Sequence, residues 1–441
     1  MKKILLLFLV ILFCRANTSG QSYIGNSIDN YSGIHGVLNN PASIHGSGLK
    51  LDINLISTSA FAGSDYISLD KKILLEINGE FFINDSIEKF SRSDNNIYGN
   101  LEVLGPSAMY QLSPKHSIGI TTRLRSFLNL NGISGQLIED FIEDFDSKEN
   151  YDFNMNKFNG TAHIWGEIGL TYGRSLLEFE GHRITGGISL KYLLGGGALY
   201  SNTTDFQGRY NMFNEILTTT GSLRYGSTPG IDSDYINVKR SSSGVAGDAG
   251  IVYRLLKNED FNGISLSQNT YKLKVGISVT DIGTIHYNNS EEIEYNMINE
   301  LNTNNLTGTS IEEILEENYR EKERKTFTSE INLPTAIHGF IDYYIQEKLF
   351  VSINGSFSLL SDSKKYANRI INTVTATPRF ESKLFSFYLP LSVRQYEVLS
   401  AGAGFRFGPL TLGSGSVLTN LFSDRARSTD IYLALKIPFY R

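Results

Sequence analysis

The residues of this chain that could do chemistry are few and far apart. The tightest group is Asn39-Asn40-Pro41-Ala42. Proline disfavours the α region for the residue before it and suits the first position of a helix, so Asn39 or Asn40 can cap a short turn running to Ile44. Arg123 with Arg125, and Lys272 with Lys274, form two pairs of cations spaced i, i+2. In a strand each pair shares one face. These eight residues are the candidate ligand or hatch site. No catalytic set accompanies them. The seven histidines include no HExxH spacing, and His116-Ser117 is a bare dipeptide beside a turn. Asp144, Asp146, Lys148, Asn150 and Asp152 copy the spacing of a calcium loop. However, Glu149 stands where that loop needs glycine, and Met155 stands at its last ligand position. Gly195-Gly196-Gly197 has no following Lys-Ser/Thr and is no phosphate loop. The reading is of a protein that is not an enzyme and holds no metal or cofactor. A formal charge of -6 gives no reason to expect nucleic acid as a partner.

What must position these residues is a set of strands. Ile118, Ile120, Thr122 and Leu124 alternate with Gly119, Thr121, Arg123 and Arg125. Tyr271, Leu273, Val275, Ile277 and Val279 alternate with Lys272, Lys274, Gly276, Ser278 and Thr280. Ile431, Leu433, Leu435, Ile437 and Phe439 alternate with Tyr432, Ala434 and Lys436. A period of two gives one apolar and one polar face. In a soluble sheet the apolar face turns inward. In an outer-membrane barrel it faces lipid, where a Lys or Arg costs roughly 2–4 kcal/mol at the midplane. All four cations of the candidate site share parity with the polar face, as a barrel requires.

The ends and the composition favour the barrel. Lys2 and Lys3 precede an apolar run, Ile4 to Phe13, and then the small polar stretch Ala16 to Gly20. That is a secretory signal over residues 1–20, too short to span a membrane. The one cysteine, Cys14, lies within it, so the mature chain has no disulfide to stabilise it. Bulky Phe13 argues against lipidation there.

Fourteen runs follow, at about 50–60, 97–112, 115–129, 160–176, 183–200, 244–256, 270–295, 329–345, 348–360, 370–381, 384–394, 398–408, 410–418 and 429–439. Short connections alternate with long ones, as periplasmic turns alternate with outer loops. The predicted fold is therefore all-β: a transmembrane antiparallel barrel over 49–441 in the outer membrane, in contact with its lipid.

Residues 21–48 precede the first strand. They are polar, carry a proline-initiated turn and lack the periodicity to fold alone. They read as a hatch or plug resting on the polar lumen face, the alternative being a disordered periplasmic tail. Arg123, Arg125, Lys272 and Lys274 are its expected hydrogen-bond partners. Among the loops, 133–145 is an amphipathic helix by spacing. A second helix is expected over 310–325, opened by the capping box Ser310 and Glu313. Residues 291–330 hold eleven Glu against four Lys/Arg, a balance of -7, so the chain's acidity sits in an insert at about 296–328. Asp281-Ile282-Gly283 reads as a kink within one long strand, with Gly283 the permissive residue.

The stretch Leu38 to Ile44, LNNPASI, resembles the Asn-Pro-Ala motif near the mature start of FadL-type outer-membrane channels, and the similar motif of PorV-like proteins of type IX secretion. VTDIGTIHY (279–287), NLPTAIHGFIDY (332–343), FRFGPLTLGSGSVL (405–418) and DIYLALKIP (430–438) resemble an uncharacterised family of Bacteroidota outer-membrane barrels. The resemblance implies a barrel of about 14 strands with an N-terminal hatch. The FadL likeness implies a passive channel for a hydrophobic or amphipathic small molecule, gated by that hatch. The PorV likeness implies a barrel that binds a secretion or surface protein partner without transport. An apolar tunnel through the lumen would favour the first. A lumen sealed by side chains, under large ordered outer loops, would favour the second.

Overall fold

Alternation in sequence becomes alternation in exposure. On one strand Leu190 is 66% exposed while its neighbour Lys191 is 4% exposed. Ile118, Ile120 and Leu124 likewise point out, and Ser117, Thr121, Arg123 and Arg125 point in. An apolar outside and a polar inside is the arrangement of a barrel bathed in lipid. The structure, a computed structural model, describes residues 23–69, 87–143, 145, 149–229, 242–256, 271–306, 308–395, 397–423 and 425–440. The expected signal segment lies outside these residues, as do Asp144, Asp146 and Lys148 of the calcium-like run.

Fourteen antiparallel strands close on themselves. They are β1 (Leu49–Ser64), β2 (Asn95–Leu104 and Ser107–Gln111), β3 (His116–Ile133), β4 (Asn159–Phe179), β5 (His182–Asn211), β6 (Ile216–Ser227 and Ser243–Leu256) and β7 (Tyr271–Asn296). Then follow β8 (Arg320–Asn332 and Ala336–Gln346), β9 (Leu349–Ser358), β10 (Thr373–Glu381), β11 (Phe385–Tyr388 and Leu391–Arg394), β12 (Glu397–Ala401 and Ala403–Phe407), β13 (Leu410–Ser414) and β14 (Ser428–Tyr440). β1 pairs with β14, Ile53 opposite Ile437, and with β2, Ala60 opposite Leu101. Closure leaves no edge among these fourteen strands.

The kink expected near Gly283 is present, but its permissive residue is Asp281. Asp281 has φ 59°, and the pairing jumps from Gly247–Ile282 to Ala249–Val279, so Asp248 alone faces Thr280 and Asp281. Aspartate is one of the few non-glycine residues that tolerate this conformation. The neighbouring β8 breaks at the same height, at Leu333-Pro334-Thr335. There the Leu333 N–H donates to Gly283 O (3.1 Å) and Thr335 Oγ1 donates to Asp281 O (2.7 Å).

The outer connections are more ordered than their polarity suggests. The stretch 201–243, expected as a long loop, contains the outer part of β5 and the Ile216–Ser227 segment of β6, paired through a hairpin. The acidic insert is helical only over Ile311–Asn318, behind the expected Ser310/Glu313 capping box. From Arg320 the chain is strand β8, because it pairs with the outer half of β7, Thr284 to Asn296. Cross-strand partners there neutralise the acids: Lys325 reaches Glu292 (2.8 Å), and Arg224 (2.6 Å) and Lys322 (2.7 Å) reach Glu294. The 133–145 helix forms over Gly135–Ile142 with Ser134 as its cap. It shares an apolar core with these strands: Leu137, Phe153, Phe206, Tyr210, Leu217, Tyr295, Leu301 and Leu315.

Candidate functional site in the lumen

Residues 23–48 lie inside the barrel against its inner wall, the place expected of the hatch. A proline cannot donate and its predecessor avoids the α region, so the chain turns sharply at Asn40-Pro41. Helix Ile34–Asn39 ends there and a 3₁₀ turn, Pro41–Ile44, begins. Asn40 caps that turn by accepting from the Ala42 N–H (2.9 Å). Its amide also donates to Ile251 O (3.3 Å) on β6 and Ile277 O (3.1 Å) on β7, and Ser278 Oγ donates to Asn39 O (2.5 Å). Pro41 and Ala42 press against the inner wall where Gly187 has no side chain; a Cβ there would collide with both. The Asn-Asn-Pro-Ala motif is thus the hatch's seat against β5, β6 and β7.

The rest of the hatch is held by cations and hydroxyls that reach its carbonyls. Lys436 Nζ donates to Tyr31 O (2.9 Å) and Ser32 O (2.7 Å) and contacts Asp52 Oδ2 (3.3 Å). Asp52 in turn accepts from the Ile34 N–H (2.9 Å). Lys274 Nζ donates to Ile28 O (2.7 Å), Arg254 to His45 O (3.1 Å) and Tyr432 OH to Ile24 O (2.8 Å). Tyr388 OH donates to the Asp29 carboxylate. Asn30 donates to Tyr271 OH (3.0 Å) through its amide and to Glu381 Oε1 (3.3 Å) through its backbone. A segment without a core of its own has its backbone groups satisfied by the wall.

His35 sits at the centre of this element. Its ring stacks on Tyr23 with centroids 4.0 Å apart. Asn26 Nδ2 donates to Nδ1 (3.3 Å) and Nε2–H donates to Ser57 Oγ (3.0 Å), a pattern that needs the neutral imidazole. Burial, and then the nearby Lys436 charge, holds its pKa well below the ordinary 6.5.

The four expected cations do not act together. Lys274 holds the hatch, but Lys272 points outward and is exposed. The pairing of β6 with β7 jumps from Leu255–Leu273 to Leu256–Tyr271, so Lys272 is the extra residue of a bulge and Tyr271 takes the inward place. Arg123 and Arg125 belong to a separate layer of buried charge. Arg123 bonds Glu167 (Nε–Oε1, 2.5 Å) and Glu102 (3.2 Å), while Arg125 bonds Asp281 (2.9 Å). Lys191 bridges Asp248 and Asp281, 2.7 Å from each. Arg125 also lies over the rings of Phe127 and Trp165, about 5 Å from each centroid. Sequence gave no means of pairing these charges, though each carried the inward parity of its strand. The same parity marked Lys436, which donates to two hatch carbonyls.

Above this layer a further segment occupies the lumen. The connection after β9, expected as one of the long outer loops at about 361–369, folds inward. Asn368 Oδ1 meets His163 Nδ1 (2.9 Å), and Asn129 Oδ1 accepts from the Arg369 N–H (3.0 Å). Ile371 packs with Phe61, Trp165, Leu193, Tyr287 and Ile331, all on the inner face of the wall. Among the described residues the lumen is therefore occupied at three levels, by the hatch, the buried ion pairs and this outer cork.

The DUF5723 family profile matches residues 41–415, from the hatch motif to β13. The chain belongs to that family, described as a family of unknown function. No curated protein matches it. Among solved structures it is similar to a FadL homologue of Pseudomonas aeruginosa, at 10% identity and TM-score 0.44, covering 96% of this chain and 98% of that one. It is also similar to the P. putida toluene transporter TodX, at 8% identity and TM-score 0.40, covering 93% and 95%. At these values no residue role or ligand is carried across from either.

Proposed function

We propose that this DUF5723 barrel is a gated channel of the outer membrane, shut at rest, for an amphipathic small molecule. The observation that carries the reading is how the hatch is held. Its seat is a set of hydrogen bonds to polar wall residues beside an apolar cluster in which Ile34, Val37 and Ile44 meet Leu104 and Met109; these contacts lie outside the strand ladder that closes the barrel, which supports a hatch that leaves with the barrel intact. The hatch, the buried ion pairs and the inward-folded β9–β10 connection all occupy the lumen, which supports passage by movement of the hatch and the outer cork. The charged and hydroxylated wall favours a solute with a polar head over a plain hydrocarbon.

A second reading is favoured by the sealed lumen and the ordered outer subdomain: a barrel that docks a protein partner on its outer face and transports nothing. Locking the hatch separates the two. His45 Nδ1 lies 3.0 Å from Ser117 Oγ on β3, so a His45→Cys/Ser117→Cys pair can tie hatch to wall. The channel reading predicts that cells carrying the oxidised pair take up a panel of amphipathic dyes more slowly, with recovery on reduction. Uptake equal in the oxidised and reduced states counts against the channel and leaves the docking reading.

A further inference from the structure

The lipid-facing wall of this barrel is not uniformly convex. Across β4 to β7 it holds a concavity of about 550 Å³, lined by Tyr172, Leu176, Ile188, Ile251, Ile277 and Val279, with Arg174 at its side. It exists because the outward positions between these side chains are taken by Gly186 and Ala249. Two chemical features of this hollow differ.

The first is an apolar floor, large enough for part of a hydrocarbon chain. The second is a cation. Arg174 faces outward, where a guanidinium is costly in lipid, and its side chain makes no ion pair or hydrogen bond among the described residues. It pairs in register with His116, the first residue of β3 after the short β2–β3 turn, which places it beside the periplasmic rim of the wall. Tyr172, whose OH bonds His116 Nδ1 (2.7 Å), stands at the same level, as aromatic residues do at a membrane interface.

We propose that this hollow binds one phospholipid of the periplasmic leaflet, with an acyl chain in the cavity and the phosphate on Arg174. Charge complementarity selects the occupant. An apolar trough alone would take any tail, but an outward arginine with no ion-pair partner among the described residues matches the bidentate geometry of a phosphate. The site also backs directly onto the hatch. Ile251 and Ile277, which line the hollow outside, are the residues whose carbonyls accept from the Asn40 amide inside. Ser278 and Gly250, also at the hollow, contact Asn39 and Asn40 from the lumen side. A lipid seated here therefore braces the same patch of wall that seats the Asn-Asn-Pro-Ala turn. The proposal depends on the barrel lying in a membrane, and not on its being a channel.

Native mass spectrometry of the full-length barrel in detergent, titrated with a palmitoyl-oleoyl phosphatidylglycerol, tests it. Wild type is expected to retain one lipid per chain. Ala249→Phe fills the hollow and abolishes that retention. Arg174→Gln weakens it roughly tenfold, the scale of one charge-assisted hydrogen bond. The diacylglycerol of the same chains, which lacks the phosphate, binds wild type and Arg174→Gln alike. Heat-modified gel mobility reports that each variant is folded, and Arg174→Lys keeps the charge should Arg174→Gln misfold. Equal retention by folded Ala249→Phe and wild type would overturn the site. Equal loss of both lipids in Arg174→Gln would overturn the phosphate assignment.

Discussion

Replacing Lys436 by methionine should loosen the hatch while the barrel stays closed. The ammonium is fully buried and is the only described group bonded at once to Tyr31 O, Ser32 O and Asp52. Methionine keeps the length and apolar stem, so β14 retains its packing. Lost are two charge-assisted hydrogen bonds to carbonyls, and left behind is a buried Asp52 carboxylate. Breaking a buried pair from one side costs about 3–5 kcal/mol. Most of that falls on the seated state, because a released hatch admits water to both carbonyls and the carboxylate. The population of released hatch should then rise by roughly two to three orders of magnitude. The assay is maleimide labelling of Val37→Cys, a buried hatch position, in a Cys14→Ser background. When reclosing outpaces labelling, the labelling rate follows the released population. Adding Asp52→Asn should recover part of the loss, since it removes the orphaned charge. A labelling rate within threefold of wild type in folded Lys436→Met would refute the reasoning.

Further consequences concern pH, the hatch seat and the kink. A seated His35 resists protonation that a released hatch accepts at about 6.5, so stability of the seat is full above that pH and falls as pH drops below it. The loss is about 1.4 kcal/mol per pH unit until the depressed pKa is reached; in His35→Gln the acid-induced rise in Val37→Cys labelling should disappear. Gly250→Leu would drive a side chain into Asn40. It should unseat the hatch, read as faster labelling with unchanged gel mobility. Asp281→Asn tolerates the left-handed backbone but leaves Lys191 and Arg125 short of charge. It should lower the unfolding temperature in detergent more than Asp152→Asn, which loosens only the exposed pair with Arg209.

How much of this was legible in the chain varied with the physics involved. The strand count and inward parity were readable, because a lipid-facing apolar residue and a lumen-facing polar one must alternate. The capping box at Ser310 and Glu313 was readable because it is local. What failed was decided by pairing across distance. Helix spacing suggested one helix to Lys325, yet β7 offered Arg320–Asn332 a ladder, and Glu292 and Glu294 offered its lysines partners. Lys272 carried the right parity until a bulge at that residue reversed it. Glycine was the natural candidate for the kink, but Asp281 gains two cation contacts by adopting the same backbone. The inward fold of the β9–β10 connection had no signal, since its contacts, Asn129 and His163, lie more than two hundred residues away in sequence.

The central claim, that the hatch and the outer cork close the lumen from opposite ends, is tested most directly by conductance in planar bilayers. The proteins to compare are wild type, a deletion of residues 22–46, a variant with 360–371 replaced by a short Gly-Ser linker, and the two combined. The account predicts a silent wild type, and a combined variant that conducts more than either single one. A combined variant that is folded, inserted and still silent would contradict it.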